Sequence, residues 1–344
     1  MPANSIEISI KGRWVSVPSV EIDGKTIVVT GNLIKLAAVH DEAWLETEVG
    51  NPELCAQILK DQPSSGLRAD LFTFSQKVPN TSAKYRYAME WESTAVVRIG
   101  TFKDWWESLP QETRKNVRRS QKRGVVVGVR ECCDDVIKGL VDLNNDAPMR
   151  QGRPNRHYGK TFDQVKRDYS SFLDRSDLVC AYFGDELIGL LKVVYRGEVA
   201  SILQCLPKAS HHDKRPSNAL IAKAVELCVQ KRISYLTYGM FRYGNRRDSP
   251  LLQFKIRNRF EEILVPRFYV PLNRWGAIGM RLGLHRGFSG ILPNGVITAG
   301  TRARETWHGL RESGSWLDST SGRVNSNQQT NVPISSIDSG SQEH

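Results

Sequence analysis

The first hundred positions read as short apolar runs cut by turn residues. Val20-Glu21-Ile22 and Ile27-Val28-Val29 flank Asp23-Gly24-Lys25. Apolar runs on either side of Asp-Gly predict a hairpin. Asn51-Pro52-Glu53 supplies an N-cap, a proline for the first helical position and an acid for the first turn, so a helix is expected to about Lys60. Residues 62–66 read as a loop, and 71–78 and 85–99 as strands.

From Thr101 the pattern changes. Residues 102–109, with Trp105-Trp106, read as a helix, and a second helix follows Pro110 and stops at Gly124, a C′ residue. The β-branched run 125–129 predicts a strand, 134–144 an aspartate-rich helix, 146–160 a polar basic loop, and 161–173 another helix. Then come three strands, at 178–183, 187–195 (broken at Gly189) and 198–204. Pro216 opens a helix to about Lys231 whose apolar face is broad: Ala219, Leu220, Ala222, Ala224, Val225 and Leu227. A strand at 233–238, a short helix from Ser249-Pro250 to about Asn258, and a strand at 262–272 complete the series. Hairpin-linked strands followed by a strand–helix–strand step predict a mixed sheet flanked by helices, an α/β (α+β mixed) fold. Three divisions are expected: a smaller N-terminal α/β subdomain at 1–100, a main domain at 101–312, and a tail at 313–344. That tail holds nine serines and a net charge of −2, and is expected to be disordered.

Composition narrows the classes. The 344 residues carry 48 Lys+Arg against 37 Asp+Glu, a net +11, and the first 312 residues hold +13 of it. Such a surface suits phosphate-bearing partners. No run nears the ~18 apolar residues that a membrane-spanning helix needs. The N-terminus has no signal-peptide pattern, so a cytoplasmic chain is expected. Six cysteines without a C-x-x-C pair read as reduced thiols, and no metal-ligating spacing occurs, so no metal is expected.

The order of elements, together with several motifs, resembles the Fem-like branch of the GNAT N-acyltransferase superfamily. The motifs are Trp106…Leu109-Pro110…Arg114-Lys115-Asn116-Val117-Arg118-Arg119…Lys122-Arg123-Gly124, Arg150-Gln151-Gly152-Arg153 with His157-Tyr158-Gly159-Lys160, Pro216-Ser217-Asn218-Ala219-Leu220, Tyr238-Gly239 and Gln253-Phe254-Lys255. They span residues 101–272, half the chain. The resemblance implies a GNAT-like sheet, with 1–100 as a reduced partner half. It implies transfer of an acyl or aminoacyl group, from acyl-CoA or aminoacyl-tRNA, to an amine acceptor such as a cell-wall or cell-surface precursor. Many GNAT enzymes use a glycine-rich turn at the pyrophosphate. Here His212-Asp213-Lys214-Arg215-Pro216-Ser217-Asn218 has no glycine, which leaves the donor open between CoA and tRNA.

Acyl transfer needs a held donor, a deprotonated amine, a stabilised oxyanion and a protonated leaving group. If the amine is a lysine side chain, about one molecule in 10³ is nucleophilic at neutral pH, so a base or a desolvated pocket is required. The helix start at Pro216 has unpartnered N–H groups suited to a phosphate. Lys214, Arg215, Ser217, Asn218 and Ala219 are the candidates for holding the donor; the plainer alternative is an ordinary helix start with a solvated basic turn. Lys255 either stabilises charge at the donor or covers Phe254 with its stem. Arg150, Gln151, Arg153 and Tyr158 suit an acidic acceptor, or form a solvated loop. His157 and Asp248 are alternative proton acceptors; the structural readings are a histidine bonded to backbone in a solvated loop, and an aspartate that caps a helix or pairs with Arg246 and Arg247. Tyr238, at a strand end, is either a proton donor to the leaving group or a buried structural tyrosine. Arg114, Arg118 and Lys122 share a helix face, open to solvent or to a tRNA backbone. A second class remains open: a non-catalytic nucleic-acid-binding protein on the same scaffold, motivated by the basic charge and opposed by the lack of a nucleic-acid-binding motif.

Overall fold

Local chemistry starts and stops most elements where the sequence predicts. Asp23 and Gly24 both take positive φ, as a tight two-residue hairpin turn requires. Asn51 Oδ1 accepts from the Leu54 N–H at 3.0 Å, and Gly124 takes φ 81° after the helix that follows Pro110. Thr101 and Thr161 each cap a helix, accepting on the hydroxyl from the N–H three positions on and donating their own N–H to that residue's side chain.

The computed structural model describes residues 4–10, 13–45, 47–61, 67–150, 153–242 and 249–286. The N-terminal part holds β1 (Asn4–Ile10), β2 (Arg13–Ile22), β3 (Lys25–Thr30), β4 (Leu36–Val39), α1 (Pro52–Asp61), β5 (Leu71–Ser75) and β6 (Ala88–Arg98). Next come α2 (Phe102–Ser108), α3 (Gln111–Lys122), β7 (Val125–Arg130), α4 (Asp134–Asn145), β8 (Met149–Arg150), β9 (Arg153–Pro154) and α5 (Phe162–Tyr169). Then follow β10 (Ser176–Phe183), β11 (Glu186–Arg196), β12 (Val199–Pro207), α6 (Pro216–Gln230), β13 (Tyr235–Met240), α7 (Pro250–Arg257), β14 (Glu261–Pro271) and α8 (Arg274–Arg281). Residues 313–344, Asp248 and Gln151 lie outside the described residues.

Twelve strands form one mixed sheet in the order β1-β2-β3-β4-β5-β14-β6-β13-β12-β11-β10-β7. Two steps in it are parallel, β4 with β5 and β12 with β13, and each is bridged by a helix, α1 and α6. At the centre β14 runs antiparallel to β6, from Glu261↔Val96 to Tyr269↔Ala88. The two halves therefore exchange strands. Late β14 flanks β5, and early β6 flanks β13.

Strand alternation sends side chains to two faces. One face buries Ala95, Val97, Val193, Ala200 and Leu236 against Leu220, Ile221, Ala224 and Val225 of α6. The other buries Leu178, Cys180 and Leu190 against Ile137, Leu140 and Val165 of α4 and α5. In the N-terminal half, Cys55, Ala56 and Leu59 of α1 cover Ile27, Val29, Phe72 and Phe74. Full burial of such a Leu, Ile or Phe contributes about 1.5–3 kcal/mol.

Three differences from expectation have physical causes. Four-residue β4 is too short for a period-2 signal. Helix α8 contains Gly276 and Gly279, poor helix formers. A Cβ on Gly276 would lie 1.8 Å from the Asp70 carbonyl oxygen, so the close approach requires glycine. The strand expected to break at Gly189 is continuous, and its irregularity is a register slip between Ala181 and Tyr182 of the neighbouring strand.

Candidate active site

Strands β12 and β13 pair over only three positions, Val199↔Tyr235, Ala200↔Leu236 and Ser201↔Thr237. Past Ser201, β12 continues to Pro207 against β11 alone, while β13 reaches Met240↔Thr94 on β6. A wedge opens between the two parallel strands. A second slip, between Lys192 and Val193, marks a bulge in β12. Because of it, Ile202 and Cys205, three positions apart, pack on the same α6-facing core.

Helix α6 begins at the mouth of this wedge. Its N-cap is Arg215 at φ 56° and ψ 42°, and no side chain caps it. A non-glycine residue in this region carries about 1–2 kcal/mol of strain. Gly189 on β11 lets the helix approach, since a Cβ there would stand 3.2 Å from Pro216 Cβ and 3.1 Å from Leu220 Cδ1. A cleft of about 570 Å³ lies ahead of the helix, lined by Arg215, Ser217 and Asn218 and by Asn116, Ser249, Gln253 and Arg257 opposite. Three of the five sequence-predicted donor residues thus meet at one cleft. Lys214 turns away, with its ammonium 4.4 Å from the Phe183 ring centroid and 3.7 Å from Asp213. Ala219 is buried on the helix flank, beside the separate cleft at Trp106 and Arg118.

Deeper in the wedge, Cys205 interacts with the hydroxyls of Ser217 and Tyr238. Desolvation pushes its thiol up to about 12, against the lowering effect of those two hydrogen bonds, so it stays protonated and is a poor nucleophile. Lys255 of α7 is fully buried; its Nζ donates to the Met240 carbonyl at 2.6 Å and lies 4.7 Å from the Tyr238 ring centroid. Burial lowers its pKa to about 8. Ser217, Cys205, Tyr238 and Lys255 form a line from the helix start into the sheet, drawn from four elements. Cys205 was not singled out from sequence for this role. Simple alternation would place it on the opposite face from Ile202, and only the bulge reverses that.

The Arg150–Tyr158 loop lies elsewhere. Arg150 donates to the Leu143 carbonyl at 2.7 Å, its Nε is buried without a partner among the described residues, and desolvation lowers its pKa. His157 Nδ1 stands 3.9 Å from Asp168 Oδ2 without a hydrogen bond. Burial, then Lys160, lowers its pKa. Tyr158 lines a different cleft of about 640 Å³ with Trp14 and Arg167. Only the backbone of Arg153 is described, in β9. The loop touches the donor side through Asp146, which accepts from the Ala209 and Ser210 N–H groups. Of the tryptophan pair, Trp105 is buried and donates to the Asn258 carbonyl at 3.3 Å, while Trp106 has Arg118 5.5 Å from its ring centroid.

The wedge between parallel strands, bridged by a helix that starts at its mouth, belongs to a fold that this chain shares with two solved structures. The solved structure of FemX matches this chain at a TM-score of 0.52 with 10% identity, over 77% of this chain and 88% of that one. The structure of L-PGS from Bacillus licheniformis matches at 0.50 with 14% identity, over 76% and 86%. No family model matches the sequence, and no curated protein does.

Proposed function

We propose that the protein is an N-acyltransferase that moves an acyl or aminoacyl group from a phosphate-bearing donor, acyl-CoA or aminoacyl-tRNA, to an amine. The observation that carries this reading is the parting of β12 and β13 beyond Ser201, with the uncapped start of α6 at its mouth. A donor phosphate at the cleft would meet the Ser217 N–H and the Arg215 guanidinium, at about 1.5–3 kcal/mol per charge-assisted bond; Pro216 has no N–H, and the Asn218 N–H donates to the Arg215 carbonyl at 3.2 Å. Ser217 and Asn218 add neutral polar contacts.

The chemistry follows from the line behind them. The amine nitrogen attacks the donor carbonyl, a C–N bond forms, and the C–S or C–O bond to the donor breaks. The Lys255 ammonium stabilises the oxyanion in a water-poor setting, where such a charge acts strongly. Tyr238 returns a proton to the leaving thiolate or alkoxide. Asp248 is proposed as the acceptor of the amine proton because it adjoins Ser249, which lines the cleft. The protonated Cys205 thiol acts as a spacer between Ser217 and Tyr238, not as a nucleophile. FemX and L-PGS share the fold, which supports a transferase on this scaffold. The half before residue 100 is proposed as a reduced copy of the main domain.

The test is a thermal-shift panel of acyl-CoAs and aminoacyl-tRNAs at low salt, repeated on a variant carrying Arg215→Ala and Ser217→Ala. One donor class is expected to raise the melting temperature, because ligand binding to the native state adds stability. The double variant is expected to weaken that donor at least about tenfold. If neither class shifts the wild-type protein, the transferase reading fails.

A further inference from the structure

Behind the wedge, on the face opposite α6, lies a second and smaller cavity of about 190 Å³. Ser201 and Thr237, the last residues of the parallel pairing, line it together with Gly239 and Met240 beyond the parting. Met240 also receives the Lys255 ammonium on its carbonyl, so the cavity and the reaction line meet at one residue.

The cavity carries three cations and two carboxylates, and the charges are unevenly matched. Arg267 takes both acids: it donates to Glu92 at 2.6 Å and to Glu42 at 2.8 Å. Those two charges raise its pKa in spite of desolvation. Lys77 is 7% exposed, and among the described residues its ammonium donates to the carbonyls of Leu45 and Thr47. Arg196 donates through Nε to Ser201 at 3.4 Å and pairs with no carboxylate among the described residues. The nearby Glu48 is already bound by the Lys77 N–H, by Asn80 and by Lys84. Burial, and then the charge of Arg196, lowers Lys77 to about 7, and burial holds Arg196 at about 10. Two cations close enough to repel thus face one cavity, and the acids within range of them among the described residues, Glu42 and Glu48, are already paired with Arg267 and Lys84. Such an arrangement is costly when empty and is relieved by a bound anion.

We propose that this cavity is the acceptor pocket, and that it takes a small amine bearing an anionic group, carboxylate or phosphate, held by the Arg196 fork in the field of Lys77, with the amine directed towards Ser201 and the gap between β12 and β13. The inference rests on the transferase reading and adds to it the class of acceptor. The volume admits an amino acid or a phosphoamine and excludes a polymer, which would have to present such a group at a free end. The planar guanidinium suits either anion bidentately.

Calorimetric titration without any donor tests it, using glycine and phosphoethanolamine against glycinamide and ethanolamine, which keep the amine and lack the anionic group. The anionic-group members are expected to bind at least about tenfold more tightly, the size of one charge-assisted contact. The tighter of the two identifies the anion as carboxylate or phosphate. Arg196→Gln is expected to abolish the tenfold preference, and Arg196→Lys to restore part of it. Equal binding of members with and without the anionic group, no binding of any of the four, or a preference that survives Arg196→Gln would overturn the assignment. Donor shifts are measured separately. If a donor binds and the anionic group confers no preference, only the acceptor pocket falls; if the anionic amines bind and no donor does, the transferase reading falls.

Discussion

The two parallel steps of the sheet have the same plan and different fates. In the N-terminal half β4 and β5 pair at Leu36↔Leu71, Ala37↔Phe72 and Ala38↔Thr73, and β4 ends one residue later. The gap beyond is closed by carboxylates: Glu42 accepts from the Ser75 N–H at 2.7 Å and Glu48 from the Lys77 N–H at 2.8 Å. Its bridging helix is capped by Asn51. In the second half β12 runs six residues past the last pair, nothing caps α6, and the gap holds a thiol, a phenol and a buried amine. One architecture therefore yields a joint where side-chain acids satisfy the open amides, and an open cleft where no side chain caps the helix start; on the proposed function the second gap is the one that receives a phosphate-bearing donor.

The largest effect that tests this contrast is on turnover. Lys255→Met is expected to lower it about 10²–10³-fold, the usual loss for one oxyanion donor, with the fold retained. Steady-state release of free CoA or deacylated tRNA, alongside a melting curve, checks it. In the other half Arg267→Ala strands Glu42 and Glu92, and is expected to cost about 3 kcal/mol in urea denaturation. Equal stability in the variant would show that the plugged joint does not depend on that triad.

A pH effect of about 2 kcal/mol joins the two halves. Lys77, Lys192 and Lys255 are all lowered by burial, to about 7, 8 and 8, from 10.5. Between about pH 7 and pH 8.5 the unfolded chain keeps protons that the native state has shed, so stability rises with pH. At higher pH the buried Cys180, Cys205 and Cys228, each pushed up from 9.0 to about 12, act with the opposite sign. Urea midpoints at pH 7 and pH 8.5 measure the rise, and Lys77→Met is expected to remove the largest share.

Smaller effects separate packing from capping. Gly189→Ala places a methyl against Pro216 and Leu220 and is expected to cost about 1–2 kcal/mol. It should also weaken the donor, because the first turn of α6 must shift. Asn51→Ala is expected to cost about 1 kcal/mol and to leave the donor thermal shift unchanged.

Much of the second half was legible along the chain, because its signals are local. Pro216 starts α6 and Ser249 caps α7, at 3.1 Å from the Leu252 N–H. The apolar face 219–227 also says that this helix covers a sheet. Lys255 and Tyr238 were drawn from separate motifs, and the fold brings them to 4.7 Å. His157 and Tyr158 read as neighbours of the same chemistry, yet the loop carries Tyr158 to the cleft at Trp14 and sets His157 3.9 Å from Asp168, which pairs with Lys160. Nothing within the loop encodes the direction in which it leaves the sheet.

What the sequence determined by itself was the set of elements: periodicity, caps and turn residues act over a few positions and need no distant partner. Only tertiary structure decided that β14 and β6 cross between halves, that a bulge rotates Cys205 into the wedge, and that Arg196 and Lys77, 119 positions apart, share a cavity. These are matters of strand register and pairing. They are set by which faces bury together across the whole sheet, and a one-residue slip reverses every side chain beyond it.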